Sequence, residues 1–153
     1  MKAPKEISSL EQAIDIAFQN PKLLKKALVH RSALNEDGID RSNERLEYLG
    51  DAVLELAISE LLFKRYPDFE EGRLTSLRSA LVKTGSLAQE AQNIELGEYI
   101  HMSKGEESTG GRSRPYILAN TMEALIGAMY LDQGFEVAKK FIERFIFYKI
   151  ENI

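Results

Sequence analysis

The side chains of this chain best suited to chemistry are acids at the start of a long helical repeat. Glu44, Glu47 and Asp51 are spaced at i, i+3 and i+7. At about 100° per residue, this spacing places them within an arc of about 60° on one helix face. A stripe of acids is ordinarily a solvated face. Here the same face continues into the apolar residues Leu54 and Ile58, so these like charges would repel unless a cation lay between them.

A second polar group interrupts an apolar stretch at residues 117–131. Asn120 and Glu123 lie three residues apart, on one face of the predicted helix. A buried glutamate needs a partner, which is either an arginine from a neighbouring helix or a metal ion shared with the first acids. Both interpretations stay open. Gly50, in the middle of the first helix, costs about 1 kcal/mol relative to alanine, which indicates close approach of a ligand or another backbone.

The available donor atoms decide which metal ion this chain could hold. There is no cysteine and there are two histidines, which excludes disulfides, cysteine nucleophiles, thiolate zinc sites and histidine-rich sites. Oxygen donors alone favour a hard cation such as Mg²⁺ or Mn²⁺. A carboxylate-held Mg²⁺ that keeps its waters is suited to phosphodiester hydrolysis, because it supplies a nucleophile and offsets charge on the leaving oxygen.

The elements that must position these residues are helices. Periodicity of 3.6 dominates, and no paired alternating runs predict a sheet. We predict an all-α fold, with a single domain over residues 1–153. The helix at 43–66 is apolar on most faces, which predicts that it is buried. The other predicted helices are 10–20, 21–30, 75–83, 86–93, 116–131 and 135–150. Gly72 and Gly85 punctuate the middle of the chain, and residues 103–115 are predicted to form a flexible loop.

Composition limits the class of protein. A hydrophobic fraction of 44% in 153 residues is enough for one core and excludes a disordered chain. The net charge of −4 argues against a binder that simply neutralises phosphates. No run is long enough to cross a bilayer, and no secretory apolar segment follows Met1. We therefore expect a cytoplasmic protein without a membrane partner.

Residues 44–53, Glu-Arg-Leu-Glu-Tyr-Leu-Gly-Asp-Ala-Val, resemble the signature of ribonuclease III, a family of double-strand-specific RNA endonucleases. Four more segments resemble blocks of that family in the same order: residues 27–32, 71–82, 104–112 and 122–132. The resemblance covers nearly the whole chain. It implies a homodimeric, all-helical RNase III endonuclease domain, with two active sites along a valley that holds double-stranded RNA. It also implies Mg²⁺, which Mn²⁺ would replace, and no organic cofactor.

The resemblance also implies roles for individual residues. It implies four metal ligands: Glu47, Asp51, Asn120 and Glu123. Asp51 and Glu123 are the expected catalytic pair. Two further acids would support the site, Glu44 at its edge and Glu71 near the valley. Tyr48 occupies the aromatic position that inserts into a socket on the partner subunit, and its small neighbours on the same face fit such a knob.

Basic residues near these blocks are candidate contacts to the RNA backbone, with ordinary surface charge as the competing interpretation. They are Arg73, Arg78, Lys83, Lys104, Arg112 and Arg114. At Asn120 the family usually has aspartate, and the loss of a charge predicts weaker Mg²⁺ binding or a hydrogen-bonding role. Bacterial members usually continue into a double-stranded RNA-binding domain, so we expect this chain, which ends at Ile153, to be a truncated form.

The function predicted from the sequence is therefore Mg²⁺-dependent hydrolysis of double-stranded RNA, which leaves 5′-phosphate and 3′-hydroxyl ends and serves RNA processing, including that of ribosomal RNA. The alternative is a catalytically silent dimeric domain that binds structured RNA or a ribonucleoprotein partner. Asn120 keeps this alternative open, because it removes one charge from the expected ligand set.

Overall fold

The computed structural model describes residues 3–153 and confirms the predicted all-α fold. The α-helices in this part of the chain are α1 (Ile7–Ile14), α2 (Pro21–Ala27), α3 (Glu44–Arg65), α4 (Glu71–Val82), α5 (Thr84–Asn93), α6 (Lys104–Ser108), α7 (Pro115–Gln133) and α8 (Phe135–Phe145). Short 3-10 turns lie at Arg31–Ala33, Leu96–Tyr99, Gly111–Ser113 and Phe147–Asn152. Among these residues the only β-type pairing is an isolated bridge between Val29 and His101. None of the described helices is long and apolar enough to span a membrane.

The central helix of the core is α7. Its residues from Ile117 to Met129 are buried on nearly every face, as expected for a helix that is apolar all round. Pro115 stands in its first turn, where a missing N–H loses no helical hydrogen bond. Gly134 ends it with a φ of 90°, a backbone conformation that favours glycine. The sequence prediction of this helix is correct to within about one turn.

The longest helix, α3, makes its most extensive contact with α7. The side-chain amide of Asn43 donates to the carbonyl of Ala27 at 3.0 Å, which ties the start of α3 to the end of α2. The face toward the core is almost fully buried, with Leu54, Ile58 and Leu62. Another face carries large apolar side chains in solvent, namely Tyr48, Leu56 and Phe63. The prediction of a helix buried on most sides is therefore wrong for α3.

Two predicted helices end earlier than the sequence indicates. α1 ends at Ile14, because Asp15 adopts the left-handed conformation with a φ of 57°. The chain then folds back so that the N–H of Phe18 donates to the Glu11 carboxylate at 2.7 Å. At the other end of the chain, α8 ends at Phe145 and the chain continues as the 3-10 turn Phe147–Asn152. The apolar periodicity continues through both breaks, so it did not reveal them.

The predicted flexible loop at residues 103–115 is wrong. Ser103 caps α6 by accepting the N–H of Glu106 at 3.1 Å. Arg112 donates to the carbonyls of Gly97 and Ile100 at 2.9 and 2.7 Å. Arg114 forms an ion pair with Glu106. These bonds hold the segment against the body of the domain. Similarly, Gly72 and Gly85 do not separate helices, because they lie in the first turns of α4 and α5.

Candidate active site

The two helices that carry the predicted acids touch through their backbones. A Cβ atom added to Gly50 would lie 1.7 Å from the carbonyl oxygen of Glu123, and one added to Gly127 would lie 2.3 Å from that of Leu46. Neither position can hold a side chain unless the helices separate. The close backbone approach predicted from Gly50 is therefore confirmed, and it brings the start of α3 against the middle of α7.

This crossing places Asp51 of α3 beside Glu123 of α7. Their side chains lie within hydrogen-bonding reach of each other, which favours a proton on one of the two carboxyl groups. Burial, followed by the hydrogen bond to Asp51 and the negative charges of the neighbouring acids, raises the pKa of Glu123 to about 8. Glu123 therefore holds this proton at neutral pH. A half-buried acid whose pKa is raised beside a second acid is typical of functional sites.

A third acid is coupled to this pair through its charge. Glu47 is half-buried, and burial raises its pKa, with further contributions from the charges of Glu44 and Asp51. We call Glu47, Asp51 and Glu123 the carboxylate cluster. The described residues nevertheless contain no group of three or more acids and histidines already arranged to hold a metal ion. In this cluster, a proton is shared by Asp51 and Glu123. The charge of Glu47 is near enough to disfavour a negative charge on Glu123.

Next to the carboxylate cluster lies a cavity of about 140 Å³. Asn120 lines it together with Glu47, one of the acids with which the resemblance implies that Asn120 shares a metal ion. Glu44 stands at the exposed rim, where the hydroxyl of Ser42 donates to its Oε1 at 2.9 Å. We call this space the Asn120 cavity. The structure therefore brings Glu44, Glu47 and Asn120 to one place beside the crossing of α3 and α7.

Comparison with known proteins identifies the family of this chain. A family model described as ribonuclease-III-like matches residues 20–150. The chain belongs to this family. It is 46% identical to ribonuclease 3 of Listeria innocua over 144 residues and 48% identical to that of Geobacillus thermodenitrificans over 149 residues. These matches cover 93% and 96% of this chain but 63% and 61% of the relatives. The chain thus spans about three fifths of the length of the curated relatives that it matches.

Solved structures agree with the family. The nuclease domain of ribonuclease III from Campylobacter jejuni superposes with a TM-score of 0.90 at 43% identity, covering 97% of this chain and all of that one. A Dicer from Pichia stipitis has a TM-score of 0.65 at 22% identity, covering all of this chain and 61% of the Dicer chain, which shows a shared fold alone. The ribonuclease III resemblance read from the signature is therefore confirmed.

The carboxylate cluster also has a neighbouring acid that the sequence prediction missed. Glu55 lies one turn after Asp51 on α3, and its charge contributes to the raised pKa of Glu123. Arg78 of α4 binds it at 2.9 Å and also donates to the Ser59 hydroxyl at 2.8 Å. The signal was present in the sequence, because Asp51 and Glu55 have the i, i+4 spacing of one helix face. Only the fold shows that Arg78 reaches it.

Several predicted residues lie away from the carboxylate cluster of their own chain. Glu71 is exposed at the start of α4 and lines a different cavity, together with Phe63. The structure therefore does not bring it to the site. Tyr48 is 83% exposed, and with Leu56 and Phe63 it forms an apolar stripe on the outer face of α3. We call these three residues the α3 stripe.

The six predicted RNA contacts fall into two groups. Four of them are engaged with the protein: Arg73 over the Phe69 ring, Arg78 with Glu55, Arg112 with Glu107 and Arg114 with Glu106. Arg112 is the most deeply placed, with a side chain that is 14% exposed, so its role is structural. Lys83 and Lys104 are exposed and stay candidates for contact with RNA.

Proposed function

We propose that this chain is a ribonuclease III nuclease domain that hydrolyses double-stranded RNA in the cytoplasm, as a step of RNA processing. The observation that carries the proposal is the proton-sharing pair of Asp51 and Glu123 on a glycine-packed crossing, in a chain that belongs to this family. Water would attack phosphorus and the bond to the 3′ oxygen would break. The products would then be a 5′-phosphate and a 3′-hydroxyl.

We propose Mg²⁺ as the metal, with Mn²⁺ able to replace it. The donor set supports this choice, because carboxylate and amide oxygens suit hard cations. The shared proton supports it too, since a cation would relieve the repulsion that this proton now relieves. The ligands would be Glu47, Asp51, Asn120 and Glu123. When bound, Mg²⁺ would supply an activated water and offset charge on the leaving oxygen.

The chain's own residues would orient the substrate and keep the site in shape. α3 and α7 hold Asp51 and Glu123 together without a side chain between their backbones, so the pair is positioned before substrate arrives. Lys83 and Lys104 are exposed and carry the charge that contacts to RNA phosphates need. Arg78 neutralises Glu55 at 2.9 Å, which limits the negative charge that an approaching phosphate would meet.

We propose that two copies associate through the α3 stripe. Tyr48, Leu56 and Phe63 are 83%, 59% and 70% exposed, and large apolar side chains grouped on one surface are typical of an interaction site. The description of the Campylobacter jejuni structure names a region involved in dimer formation of that nuclease domain. A dimer with two-fold symmetry would present two carboxylate clusters, one for each strand of a duplex.

The test is cleavage of long duplex RNA with and without Mg²⁺, in parallel with the Glu123→Gln variant. We expect metal-dependent cleavage by the natural chain and its loss in the variant, which keeps the size of the side chain and removes its charge. Labelled ends identify the products. Binding of duplex RNA without cleavage in Mg²⁺ or Mn²⁺ would instead favour the catalytically silent domain. Asn120→Asp would then be the first variant to test for a gain of cleavage.

A further inference from the structure

The Asn120 cavity has the size and the lining of a binding pocket. Its volume of about 140 Å³ is well above the space that one water molecule needs. Two buried polar residues on its wall, Asn43 and Thr121, already bond to the carbonyls of Ala27 and Ile117 at 3.0 and 2.7 Å. They complete the wall but offer little to a ligand. The polar groups that remain available are those of His30, Arg31, Glu44, Glu47, Tyr116 and Asn120.

The histidine on this wall has a fixed tautomer. The backbone N–H of Ser32 donates to His30 Nδ1 at 3.1 Å, so Nδ1 carries no proton. The Ser32 hydroxyl lies 2.8 Å from the same nitrogen and accepts the N–H of Ser103 at 2.9 Å, which orients its own hydrogen toward Nδ1. Burial lowers the pKa of His30 and keeps the ring neutral. A neutral ring without a proton on Nδ1 must carry it on Nε2.

The Nε2–H of His30 is therefore a donor whose position is fixed by the bonds of Ser32 to Nδ1 on the other side of the ring. It has no partner among residues 3–153, and it is not sealed from solvent. Acceptors line the same cavity, because Glu44 has Oε2 unbonded beyond its contact with Ser42 and Asn120 has its amide unpaired. One fixed donor on a residue that lines the cavity, together with acceptor oxygens on other lining residues, matches a hydroxyl group, which accepts one hydrogen bond and donates another.

This lining selects among the parts of a duplex. A phosphate could accept from His30 and would be attracted by Arg31, which also lines the cavity, but the two carboxylates of Glu44 and Glu47 outweigh this single cation. A base would first have to leave its stack, at a cost of a few kcal/mol. The 2′-hydroxyl is displayed in the wide minor groove of A-form RNA without unpairing. Tyr116, half exposed at the start of α7, supplies a ring for the apolar edge of a sugar.

We propose that the Asn120 cavity binds the ribose of a nucleotide next to the cleaved phosphate, with its 2′-hydroxyl accepting from His30 Nε2–H and donating to an oxygen of Glu44 or Asn120. This inference rests on the proposed nuclease function. The cavity shares Glu47 with the carboxylate cluster and Asn120 with the proposed metal ligands, so its occupant lies beside the reacting group. His30 is then the residue that distinguishes RNA from DNA at this position.

The test measures binding of a short duplex by the Glu123→Gln variant, so that cleavage does not interfere. Single 2′-deoxy nucleotides are placed one at a time around the cleavage point. We expect one position to weaken binding roughly 3- to 10-fold, the effect of one neutral hydrogen bond. Deoxy nucleotides five or more positions away serve as the control and should change nothing.

Two further variants connect that position to His30. His30→Asn keeps an acceptor for the Ser32 N–H, since asparagine is an effective cap, but it lacks the Nε2 donor. It should weaken binding of the all-ribose duplex by the same factor and abolish the sensitivity to deoxy substitution. His30→Gln, whose amide extends to about the Nε2 position, should restore part of both. Melting temperatures of the variants confirm that they are folded.

If His30→Asn and the deoxy nucleotide weaken binding independently, so that their factors multiply when they are combined, the ribose pocket is overturned. It is also overturned if no position is sensitive to deoxy substitution, or if the duplex does not bind. The proposed function is judged separately, by cleavage of the all-ribose duplex by the natural chain in Mg²⁺. Cleavage without coupling between His30→Asn and the deoxy nucleotide would overturn only the ribose pocket. Coupling without cleavage would overturn only the nuclease function.

Discussion

The proton shared by Asp51 and Glu123 makes the stability of the domain depend on pH. Glu123 has a folded-state pKa of about 8, against an ordinary value of 4.5, so the folded state binds more protons than the unfolded state between these values. This contribution is complete below the ordinary value and is lost as pH rises through about 8.

We therefore predict that the melting temperature in a chelator falls between pH 7 and 8.5. Because Glu123 is partly exposed, solvent screening reduces the loss in the free energy of unfolding to about 0.5–1 kcal/mol. This loss corresponds to a fall of roughly 2 °C in the melting temperature for a domain of this size. His30 does not contribute over this range, because its lowered pKa leaves it neutral. Glu123→Gln should flatten the dependence, and an equal fall in the variant would show that Glu123 is not its source.

Asn120 gives a second prediction at the residue scale. Asn120→Asp adds a charge next to Glu47 in the Asn120 cavity, so Mg²⁺ should bind more tightly. We expect the Mg²⁺ concentration for half-maximal cleavage to fall at least about threefold. Substitution of residues around a metal commonly changes metal affinity by more than this. Asn120→Leu, which removes the oxygen, should raise it. If Asn120→Asp changes neither this concentration nor the rate, the residue has no part in metal binding.

Individual site residues could be predicted only where local spacing determines their neighbours. The spacing on α3 placed Glu47 and Asp51 on one face, and the signature paired them with Glu123. His30 stands at the end of the predicted helix 21–30, and its Nδ1 caps the turn Arg31–Ala33. The Asn120 cavity beside it could not be predicted, because residues from three separate parts of the chain form its wall.

At the scale of elements, the contact between α3 and α7 depends on the absence of side chains. Gly50→Ala would place a methyl group 1.7 Å from the Glu123 carbonyl, and backbone cannot move aside as a side chain can. We predict a loss of about 3 kcal/mol or more in the free energy of unfolding, together with loss of cleavage. Urea denaturation measures the first effect.

The matched control is Gly85→Ala, also in a helix but with no atom within 4 Å of the added Cβ. It should stabilise the domain by about 0.5–1 kcal/mol, because alanine is the better helix former. If Gly50→Ala behaves like this control, the two helices are not in backbone contact in solution.

The 103–115 segment gives another prediction about an element. The internal partners of Arg112 include the carbonyls of Gly97 and Ile100 and the carboxylate of Glu107. Arg112→Ala would remove the cation beside Glu107 and the donor to both carbonyls, so we expect a loss of about 3 kcal/mol in the free energy of unfolding and faster hydrogen exchange in α6. Lys104→Gln, exposed in the same segment, should stay within about 0.5 kcal/mol of the natural chain. If Arg112→Ala and Lys104→Gln change the free energy of unfolding by the same amount, Arg112 behaves as an ordinary surface residue.

Which elements could be predicted follows from how each is stabilised. α3 and α7 were predicted because apolar periodicity continues along them and Pro67 and Gly134 mark their ends. The 103–115 segment was not, because its glycines and serines are typical of loops and it is held by arginine contacts with distant carbonyls. Such contacts leave no periodic signal in the sequence, and neither does the turn at Asp15 that ends α1.

At the scale of the whole molecule, the α3 stripe predicts self-association. Tyr48→Asp places a charge in the middle of the proposed interface, so we expect sedimentation to show a monomer at concentrations where the natural chain is a dimer. Cleavage should change from paired cuts to single nicks or cease. Ala13→Asp, exposed on α1, is the control and should leave the dimer intact. A Tyr48→Asp variant that still dimerises would assign the interface to another surface.

The net charge of −4 was a poor guide to function, because charge is not spread evenly over the molecule. Glu44, Glu47, Asp51 and Glu123 gather around one helix crossing, where a bound cation would reverse the local field. Elsewhere acids pair with bases, as in Arg114 with Glu106. The total charge therefore describes the protein without the proposed metal, and the surface proposed to contact RNA would be less acidic than this total indicates.

The bare backbone contact at Gly50 and Gly127 also limits how this domain can change during evolution. Most helix pairs are separated by side chains, and a larger or smaller residue shifts one helix against the other. Here main-chain atoms set the distance, so the separation between the acids of α3 and Glu123 is insulated from substitutions in the surrounding core. New chemistry must then arise by exchanging the side chains that project from these fixed positions. Asn120 projects from one such position on α7, one turn before Glu123.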